Sequence, residues 1–293
     1  MDSKVIDGNA LAKRHEAAIK ERLSRIKKDR NPAVVSFCNQ DDPASQKYTF
    51  MKLAKASDLG IDFIAEEFSA DTGREYLESL VKKYAADPGI DGILVQLPIP
   101  ENLNPFREGL LNLIPAEKDV DGLLESSPFL PATVKAVISI LNSLLRHSGL
   151  DPESQKTEIL KQVQDDNSVG GVWWKDKKIA VVGATGEVGK PLVKYLKENN
   201  VEVVEISRNL GDLVSDLEDA DIVVSATGEE NLIKENMIKT GAILIDVGLG
   251  DFDPGCFQKA SLYTPKIGGV GPMTVISLME NVTEAFLRKL KSS

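Results

Sequence analysis

The sequence predicts an α/β fold arranged in two domains. The chain has 293 residues, a length that suits two domains of ordinary size better than one small core. Short apolar runs alternate with stretches of helical periodicity, which is typical of parallel sheets with crossover helices. A glycine-rich turn between a strand and a helix in the second half indicates a doubly wound sheet there.

The predicted strands are short apolar runs, and the predicted helices have apolar residues at helical spacing. The strands are 33–37, 61–68, 93–97, 179–182, 201–206, 222–225 and 243–247. The helices are 9–28, 43–59, 190–199 and 275–291, with another that begins near residue 133.

One polar stretch interrupts this alternation. Residues 147–171 are bounded by glycines and lie inside the second block of elements, which begins near Thr133 after a first block that runs to about Phe129. A long segment of this kind inside a compact domain is usually an exposed insertion. We expect a passive surface insert, and the alternative is a lid or partner-binding loop.

Composition argues against several classes of function. The net charge of -10 repels phosphate backbones, so nucleic acid is not an expected partner. No apolar run reaches the ~20 residues that span a bilayer, and the first residues lack a signal-peptide core. Cys38 and Cys256 show no metal-ligand spacing and favour a reducing cytoplasm. His15 and His147 belong to no motif, so neither a metal site nor a catalytic histidine is expected.

Residues 178–189 have the pattern of a dinucleotide-binding loop. An apolar strand leads into Gly183, Gly186 and Gly189, and a helix follows. Glycines let the backbone approach a pyrophosphate, and the helix N-terminus supplies N–H donors. The elements occur in the required order, which favours NAD or NADP binding over an ordinary tight turn.

Two charged residues near the end of the next strand give conflicting indications of whether the cofactor is NAD or NADP. Glu205 lies about 20 positions after Gly183, where an acid usually binds the ribose of NAD and repels the additional phosphate of NADP. Arg208 follows and could pair with that phosphate instead. A solvated surface charge is an equally good interpretation of either residue.

Several polar residues of the first block are candidate site residues. Ser45, Tyr48 and Lys52 are spaced so that they share one face of a helix. Gln96 ends a buried strand run, and the ends of parallel strands are where ligand-binding groups collect. Asp121 stands before a glycine in EKDVDGL. Each feature alone also fits a solvated face, a strand cap or a polar turn.

Taken together, these segments resemble the bifunctional methylenetetrahydrofolate dehydrogenase/cyclohydrolase family. The match runs in one order through nearly the whole chain and leaves out only the insert. Its segments are DDPASQKYTFMK, DGILVQLPIP, IPAEKDVDGL, the glycine loop, ADIVVSATG, GAILIDVG and GGVGPMT. The chain is therefore identified as a divergent member of this family.

The resemblance implies an architecture and an activity. It implies a folate-binding catalytic domain over 1–129 plus 275–293, a Rossmann-type NAD(P)-binding domain over 130–274, and a cleft between them for folate. The implied reaction of one-carbon metabolism is oxidation of methylenetetrahydrofolate to methenyltetrahydrofolate, then hydrolysis to formyltetrahydrofolate. Since members are usually homodimers, we expect a cytoplasmic homodimer that binds tetrahydrofolate derivatives.

The resemblance also implies residue roles. Lys52 matches the catalytic lysine, which would act as general acid or base when water attacks the methenyl cation. Gln96 matches the glutamine that positions this lysine, and Tyr48 matches a tyrosine that stacks on the folate rings. Asp121 matches the aspartate that accepts hydrogen bonds from the pterin. The supporting positions are Ser45, near the lysine, and Gly271 and Pro272, in the loop bordering the folate.

For the cofactor, the family implies NADP, with NAD left open. The implied binding positions are Gly183, Ala184, Thr185, Gly186, Gly189, Glu205, Ser207, Arg208 and Thr274. The family usually has arginine and serine where this chain has Ala184 and Thr185, and that arginine normally helps bind the NADP phosphate. Ser207 and Arg208 still resemble the family's second phosphate-contacting segment.

Other departures leave alternatives open. Ala132, Val134 and Ala136 replace a cysteine, a proline and a glycine of the family pattern, and Lys266-Ile267 replaces valine-proline. One alternative is that only one activity is retained, with the dehydrogenase step lost. Another is a non-catalytic folate- or nucleotide-binding protein. A reductase of unrelated substrate would leave KDVDG and VQLP unexplained.

Overall fold

The computed structural model describes residues 4–144, 173–207 and 213–292. The chain divides into two compact units. The first unit comprises Glu16–Ala132 and Val275–Ser293, and the second comprises Met1–His15 and Thr133–Thr274. The insert expected at 147–171 lies outside the described residues, and so does Arg208.

Helices and strands alternate along the described chain as predicted. The helices are α1 (Gly8–Ser24), α2 (Pro43–Leu59), α3 (Arg74–Ala86), α4 (Arg107–Leu111), α5 (Ala132–Leu144), α6 (Gly189–Glu198), α7 (Leu213–Leu217), α8 (Pro254–Lys259) and α9 (Val270–Ser292). The strands are β1 (Ala33–Asn39), β2 (Asp62–Phe68), β3 (Gly92–Val95), β4 (Lys178–Val182), β5 (Glu202–Ile206), β6 (Ile222–Ser225), β7 (Ile243–Asp246) and β8 (Leu262–Tyr263). The pairings among these strands are parallel, which confirms the α/β class.

The first unit contains a three-stranded sheet in the order β2-β1-β3. On one face, Val35 and Phe37 of β1 are buried in a common core with Leu77 and Val81 of α3. Because side chains alternate along a strand, the intervening residues of β1 face the other side of the sheet. Helix α2 contacts β1 and β2.

The second unit contains a five-stranded sheet in the order β5-β4-β6-β7-β8. The chain continues from β4 to β5 on one side and later reaches β6 on the other side, so the strand order reverses at β4. In doubly wound sheets, ligands bind at the carboxyl ends of the strands at such a reversal. The glycine-rich loop directly follows β4 and therefore lies at this position.

The first fifteen residues differ from the expected domain division, which grouped them with the rest of 1–129. Ile6 N donates a hydrogen bond to Tyr263 O at 2.8 Å, and Tyr263 N donates to Lys4 O at 2.9 Å. These bonds attach the N-terminal segment to β8 in the second unit. The partners are far apart in the sequence, so no local pattern indicates the pairing.

Helix α9 begins earlier than predicted. The glycines and prolines of 264–274 predicted a loop up to residue 274, whereas the helix starts at Val270. Pro272 is tolerated there because its fixed φ and missing N–H suit the first turn of a helix. Gly271, Pro272 and Thr274 therefore lie in the first turns of α9 rather than in a loop. None of the helices in the described part of the chain is long and apolar enough to cross a membrane.

Candidate active site

Helix α2 brings three of the predicted site residues to one side. The helix begins after Asp42, whose side chain accepts hydrogen bonds from two backbone N–H groups of the first turn. It ends at Gly60, which has a left-handed conformation with φ 68°. Between these limits Ser45 and Lys52 are buried, and Tyr48 is half-buried beside them.

A direct hydrogen bond between Lys52 and Gln96 joins α2 to the segment that follows β3. Gln96 directly follows β3, and its backbone N–H donates to Phe37 O on β1 at 2.8 Å. Lys52 Nζ donates to Gln96 Oε1 at 2.5 Å, while Gln96 Nε2 donates to Leu97 O at 3.2 Å. Because both ends of the amide are engaged, the oxygen faces the lysine and holds the amine in one place.

Burial shifts the pKa values of two opposite charges at this site. Lys52 is only 7% exposed, and burial lowers the pKa of its amine, partly opposed by the negative charge of Asp121. Burial likewise raises the pKa of the Asp121 carboxyl, partly opposed by Lys52. A buried amine of lowered pKa can exchange protons nearer neutral pH than an exposed lysine can.

The two acids of EKDVDGL have different environments. Asp119 is engaged within its own loop: its carboxylate accepts from Leu124 N at 2.8 Å, and its carbonyl accepts from Ser127 Oγ at 3.0 Å. Asp121 instead lies within electrostatic reach of Lys52. Asp119 therefore shapes the loop, whereas the Asp121 carboxylate interacts electrostatically with the Lys52 amine.

Two more polar residues beside Lys52 were missed in the sequence. Thr49 is buried on α2 next to the Cys38 thiol, and Ser45 Oγ has no hydrogen-bond partner among the described residues. Cys38 on β1 is buried and close enough to influence the charge of Lys52. Helical spacing from Ser45 could have identified Thr49, but no local signal identifies Cys38. Buried hydroxyls without partners can bind a water molecule or a polar group of a ligand.

The glycine-rich loop of the second unit fits a dinucleotide. A Cβ at Gly189 would lie 2.1 Å from Gly183 O, and Gly183 itself has φ 84°, so both positions require glycine. Helix α6 begins after Val188 and has no side-chain cap. Its first N–H groups are therefore suited to an anionic ligand such as a pyrophosphate.

Of the two residues expected to select the cofactor, the structure describes only Glu205. Its carboxylate forms a short ion pair with Lys197 of α6, and both side chains are about half exposed. Gly183 N and Ala184 N donate to Ile206 O at 2.9 and 3.1 Å, so the exposed Ser207 follows directly beside the loop. Because exposed ion pairs contribute little, the Glu205–Lys197 pair can open when a ligand competes for either side chain.

A buried aspartate supports the loop opposite the glycines. Asp251 Oδ2 accepts hydrogen bonds from Ser225 Oγ at 2.6 Å, Thr227 N at 2.9 Å and Thr227 Oγ1 at 2.8 Å. A Cβ at Gly183 would lie 2.8 Å from Ala226 O, so the segment held by Asp251 contacts the glycine loop. The sequence argument missed this residue, because its two partner residues lie in another segment of the chain.

A second buried carboxylate lies beside Asp251. Burial and the charge of Asp251 raise the pKa of the Asp246 carboxyl. Asp246 Oδ1 and Asp251 Oδ1 are buried and accept no hydrogen bond from the described residues. Within those residues, no group of three or more His, Cys, Asp or Glu side chains could hold a metal ion.

The sequence matches known families over both halves of this architecture. The catalytic domain of tetrahydrofolate dehydrogenase/cyclohydrolase matches residues 6–121, and the NAD(P)-binding domain of the same family matches residues 159–290. The chain belongs to the tetrahydrofolate dehydrogenase/cyclohydrolase family. One relative, the bifunctional protein FolD of Limosilactobacillus reuteri, is 35% identical over 292 residues, which is 96% of each chain.

Solved structures of this family have the same fold. The bifunctional enzyme FolD of Campylobacter jejuni has a TM-score of 0.82 and 27% identity, covering 97% of this chain and 98% of that one. The methylenetetrahydrofolate dehydrogenase-cyclohydrolase of Trypanosoma brucei, solved with NADP and an inhibitor, has a TM-score of 0.80 and 29% identity over 98% of each chain.

The departures from the family pattern near residue 130 fall at the start of α5. Ala132, Val134 and Ala136 are all buried there. Small and branched apolar residues at these positions extend a regular helix, whereas a proline or glycine would interrupt it. The helix is therefore regular through these three buried positions.

Proposed function

We propose that the chain is a bifunctional enzyme that oxidises methylenetetrahydrofolate with NADP or NAD and hydrolyses the methenyl product to formyltetrahydrofolate. The observation that carries this proposal is the buried Lys52 amine, which is hydrogen-bonded to Gln96 and lies within reach of the Asp121 charge. A protein that only binds folate has no need of a buried amine whose pKa is lowered.

In the hydrolytic step, Lys52 transfers a proton from the attacking water to the leaving nitrogen. Its neutral amine accepts a proton from the water that attacks the methenyl carbon, and the resulting ammonium returns this proton to the nitrogen that leaves the carbon. The remaining hydroxyl proton passes to solvent as the C–N bond breaks and the formyl C=O forms. The positive charge of the substrate favours the neutral amine further, since like charges lower the pKa of a lysine. Gln96 keeps the amine directed at the reacting carbon.

The remaining residues of the first unit bind and orient the substrate. Asp121 accepts hydrogen bonds from the pterin, and Tyr48 stacks on the folate rings from α2. Ser45 presents a buried hydroxyl without a described partner from the helix that carries Lys52, and this hydroxyl can hold the attacking water. These groups come from one helix and one loop, so the substrate is fixed by a rigid surface.

The oxidation depends on the second unit. NADP or NAD, when bound, accepts the hydride from the methylene carbon of the substrate. Gly183, Gly186 and Gly189 allow the pyrophosphate to approach the N-terminus of α6, with Ala184 and Thr185 in the same turn. Ser207 and Glu205 lie on the ribose side, and Arg208 is assigned there by the family pattern alone. We further assign Gly271, Pro272 and Thr274 of α9 to the border of the ligand sites.

The deciding experiment follows the turnover of methylenetetrahydrofolate with NADP and NAD in parallel, recording both the methenyl intermediate and its hydrolysis. Turnover in both steps supports the proposal. Hydrolysis of supplied methenyltetrahydrofolate without oxidation by either cofactor would leave only the cyclohydrolase. Inactivity in both assays, with folate binding preserved, would favour a binding protein instead.

We also propose that the enzyme is a cytoplasmic homodimer. Both cysteines are buried and form no disulfide, which suits a reducing compartment. Light scattering coupled to size-exclusion chromatography tests the dimer, because a chain of 31.9 kDa would then elute with twice that mass. A monomer at the concentrations used for turnover would contradict the proposal.

A further inference from the structure

The segment that carries Asp121 packs tightly against a second backbone segment. Gly122 has φ 69°, and a Cβ there would lie 2.6 Å from Pro131 N and 2.7 Å from Leu130 C and Phe129 O. On the other side of Asp121, the two methyl groups of Val120 pack on Gly92 of β3, where a Cβ would lie 2.7 and 2.8 Å from them. Asp121 therefore lies between two close backbone contacts.

One side chain from the last helix joins these two segments. Asn281 of α9 is fully buried, and its Nδ2 donates to Val120 O at 2.9 Å and to Leu130 O at 3.0 Å. Its two acceptors belong to the two segments that meet at Gly122. A single amide group with two N–H bonds can satisfy both carbonyls at once.

We propose that Asn281 is a positioning residue for folate recognition, because it fixes the backbone on both sides of the Asp121 carboxylate. The inference rests on the proposed role of Asp121 as the acceptor for the pterin. A hydrogen bond to a planar ligand depends on the position and angle of its acceptor, so a small displacement of this loop weakens binding.

The same helix offers a matched control. Thr283 is fully buried two residues later, and its Oγ1 donates to Met279 O at 2.8 Å within α9 itself. Thr283→Val removes a buried hydrogen bond from the helix without touching the Asp121 loop. If general destabilisation of α9 weakens folate binding, both variants should show the loss. If Asn281 positions Asp121, only the Asn281 variant should show it.

The test measures the dissociation constants of tetrahydrofolate and of NADP for Asn281→Leu, Thr283→Val and the wild type, alongside their melting temperatures. We expect Asn281→Leu to weaken folate binding by about tenfold or more, with NADP affinity unchanged. Thr283→Val should bind folate as the wild type does. Equal folate losses in the two variants, or none in Asn281→Leu, would overturn the inference. Should Asn281→Leu not fold, Asn281→Ser is measured in its place.

A double-mutant cycle with Asp121→Asn separates this inference from the proposed function. If Asn281 acts through Asp121, the double variant binds folate no more weakly than Asp121→Asn alone. Additive losses would mean that Asn281 acts elsewhere and would overturn the inference while the role of Asp121 stands. Wild-type folate affinity in Asp121→Asn itself would remove the assigned role of Asp121, and with it this inference.

Discussion

Lys52 Nζ donates a hydrogen bond to Gln96 Oε1 at 2.5 Å, and the other end of the same amide is held by Leu97 O. The lysine comes from a helix after β1, and the glutamine follows β3. Because the two strands are neighbours in a parallel sheet, their carboxyl ends bring the two side chains together. The sheet thus determines where the amine points.

Replacing Lys52 should separate chemistry from binding. We expect Lys52→Met to lower cyclohydrolase turnover by about a hundredfold or more, while tetrahydrofolate binding changes little, because the interaction lost is catalytic. Lys55→Met is the control: Lys55 lies on the same helix but forms ion pairs with Glu16 and Asp58. Hydrolysis of methenyltetrahydrofolate at saturating substrate measures the effect, and near-normal turnover in Lys52→Met would exclude the proposed role.

The pH dependence of hydrolysis should respond to Asp121. In the proposed mechanism the rate of hydrolysis depends on neutral Lys52, so we expect it to rise with pH through the pKa of that amine. The negative charge of Asp121 favours the ammonium and raises this pKa. Asp121→Asn removes the charge, so the rising limb of kcat should move to lower pH. Asp58→Asn is the control. It removes an exposed charge from α2, the helix that carries Lys52, and should leave the rising limb of kcat at its wild-type pH. This prediction would be contradicted if the rising limb of kcat in Asp121→Asn moved to higher pH or stayed at its wild-type pH.

Cofactor preference should change when Glu205 loses its charge. Glu205→Gln frees Lys197 from its ion pair. If the Glu205 carboxylate repels the NADP phosphate, its removal should raise kcat/KM with NADP about tenfold relative to that with NAD. Glu202→Gln makes the same change at an exposed position of the same strand. It should leave kcat/KM unchanged with both NADP and NAD. Measuring oxidation with both cofactors decides the matter. An unchanged ratio in Glu205→Gln would show that Glu205 does not select the cofactor.

Asp251 should affect the second unit alone. Asp251→Ala removes the acceptor of three hydrogen bonds that hold Ser225 and Thr227 beside the glycine loop. We expect NADP binding to weaken by about tenfold, with tetrahydrofolate affinity unchanged. Asp253→Ala is the control, since Asp253 caps α8 instead. Calorimetric titration with each ligand measures the effect. Weakened binding of both ligands by Asp251→Ala would mean that Asp251 supports the fold in general and would contradict this prediction.

Local signals explain which elements could be predicted from the sequence. Helix α2 was predicted with its observed limits, because Asp42, Pro43 and Gly60 are start and stop signals that act within a few residues. The start of α9 was misplaced, because glycine and proline in a row predict a loop unless the proline stands in the first turn of a helix.

Contacts between distant segments could not be predicted in this way. The family pattern supplied Lys52, Gln96 and Asp121, and the structure adds their distances and charges. Nothing in the sequence around Asn281 shows that its amide meets Val120 O, 161 residues earlier. Asp251 was missed for the same reason, because its partners lie 24 and 26 residues away.

The dependence of the Asp121 loop on α9 has a consequence for synthesis of the protein on the ribosome. Chains emerge N-terminus first, and domains generally fold as they appear. The three-stranded sheet of the first unit is complete by Val95, yet the amide that holds its ligand loop is translated among the last residues described. On the proposed roles of Asp121 and Asn281, the nascent first unit therefore has an unfinished folate site until residues 133–274 of the second unit have been made. Recognition of the pterin becomes a property of finished chains.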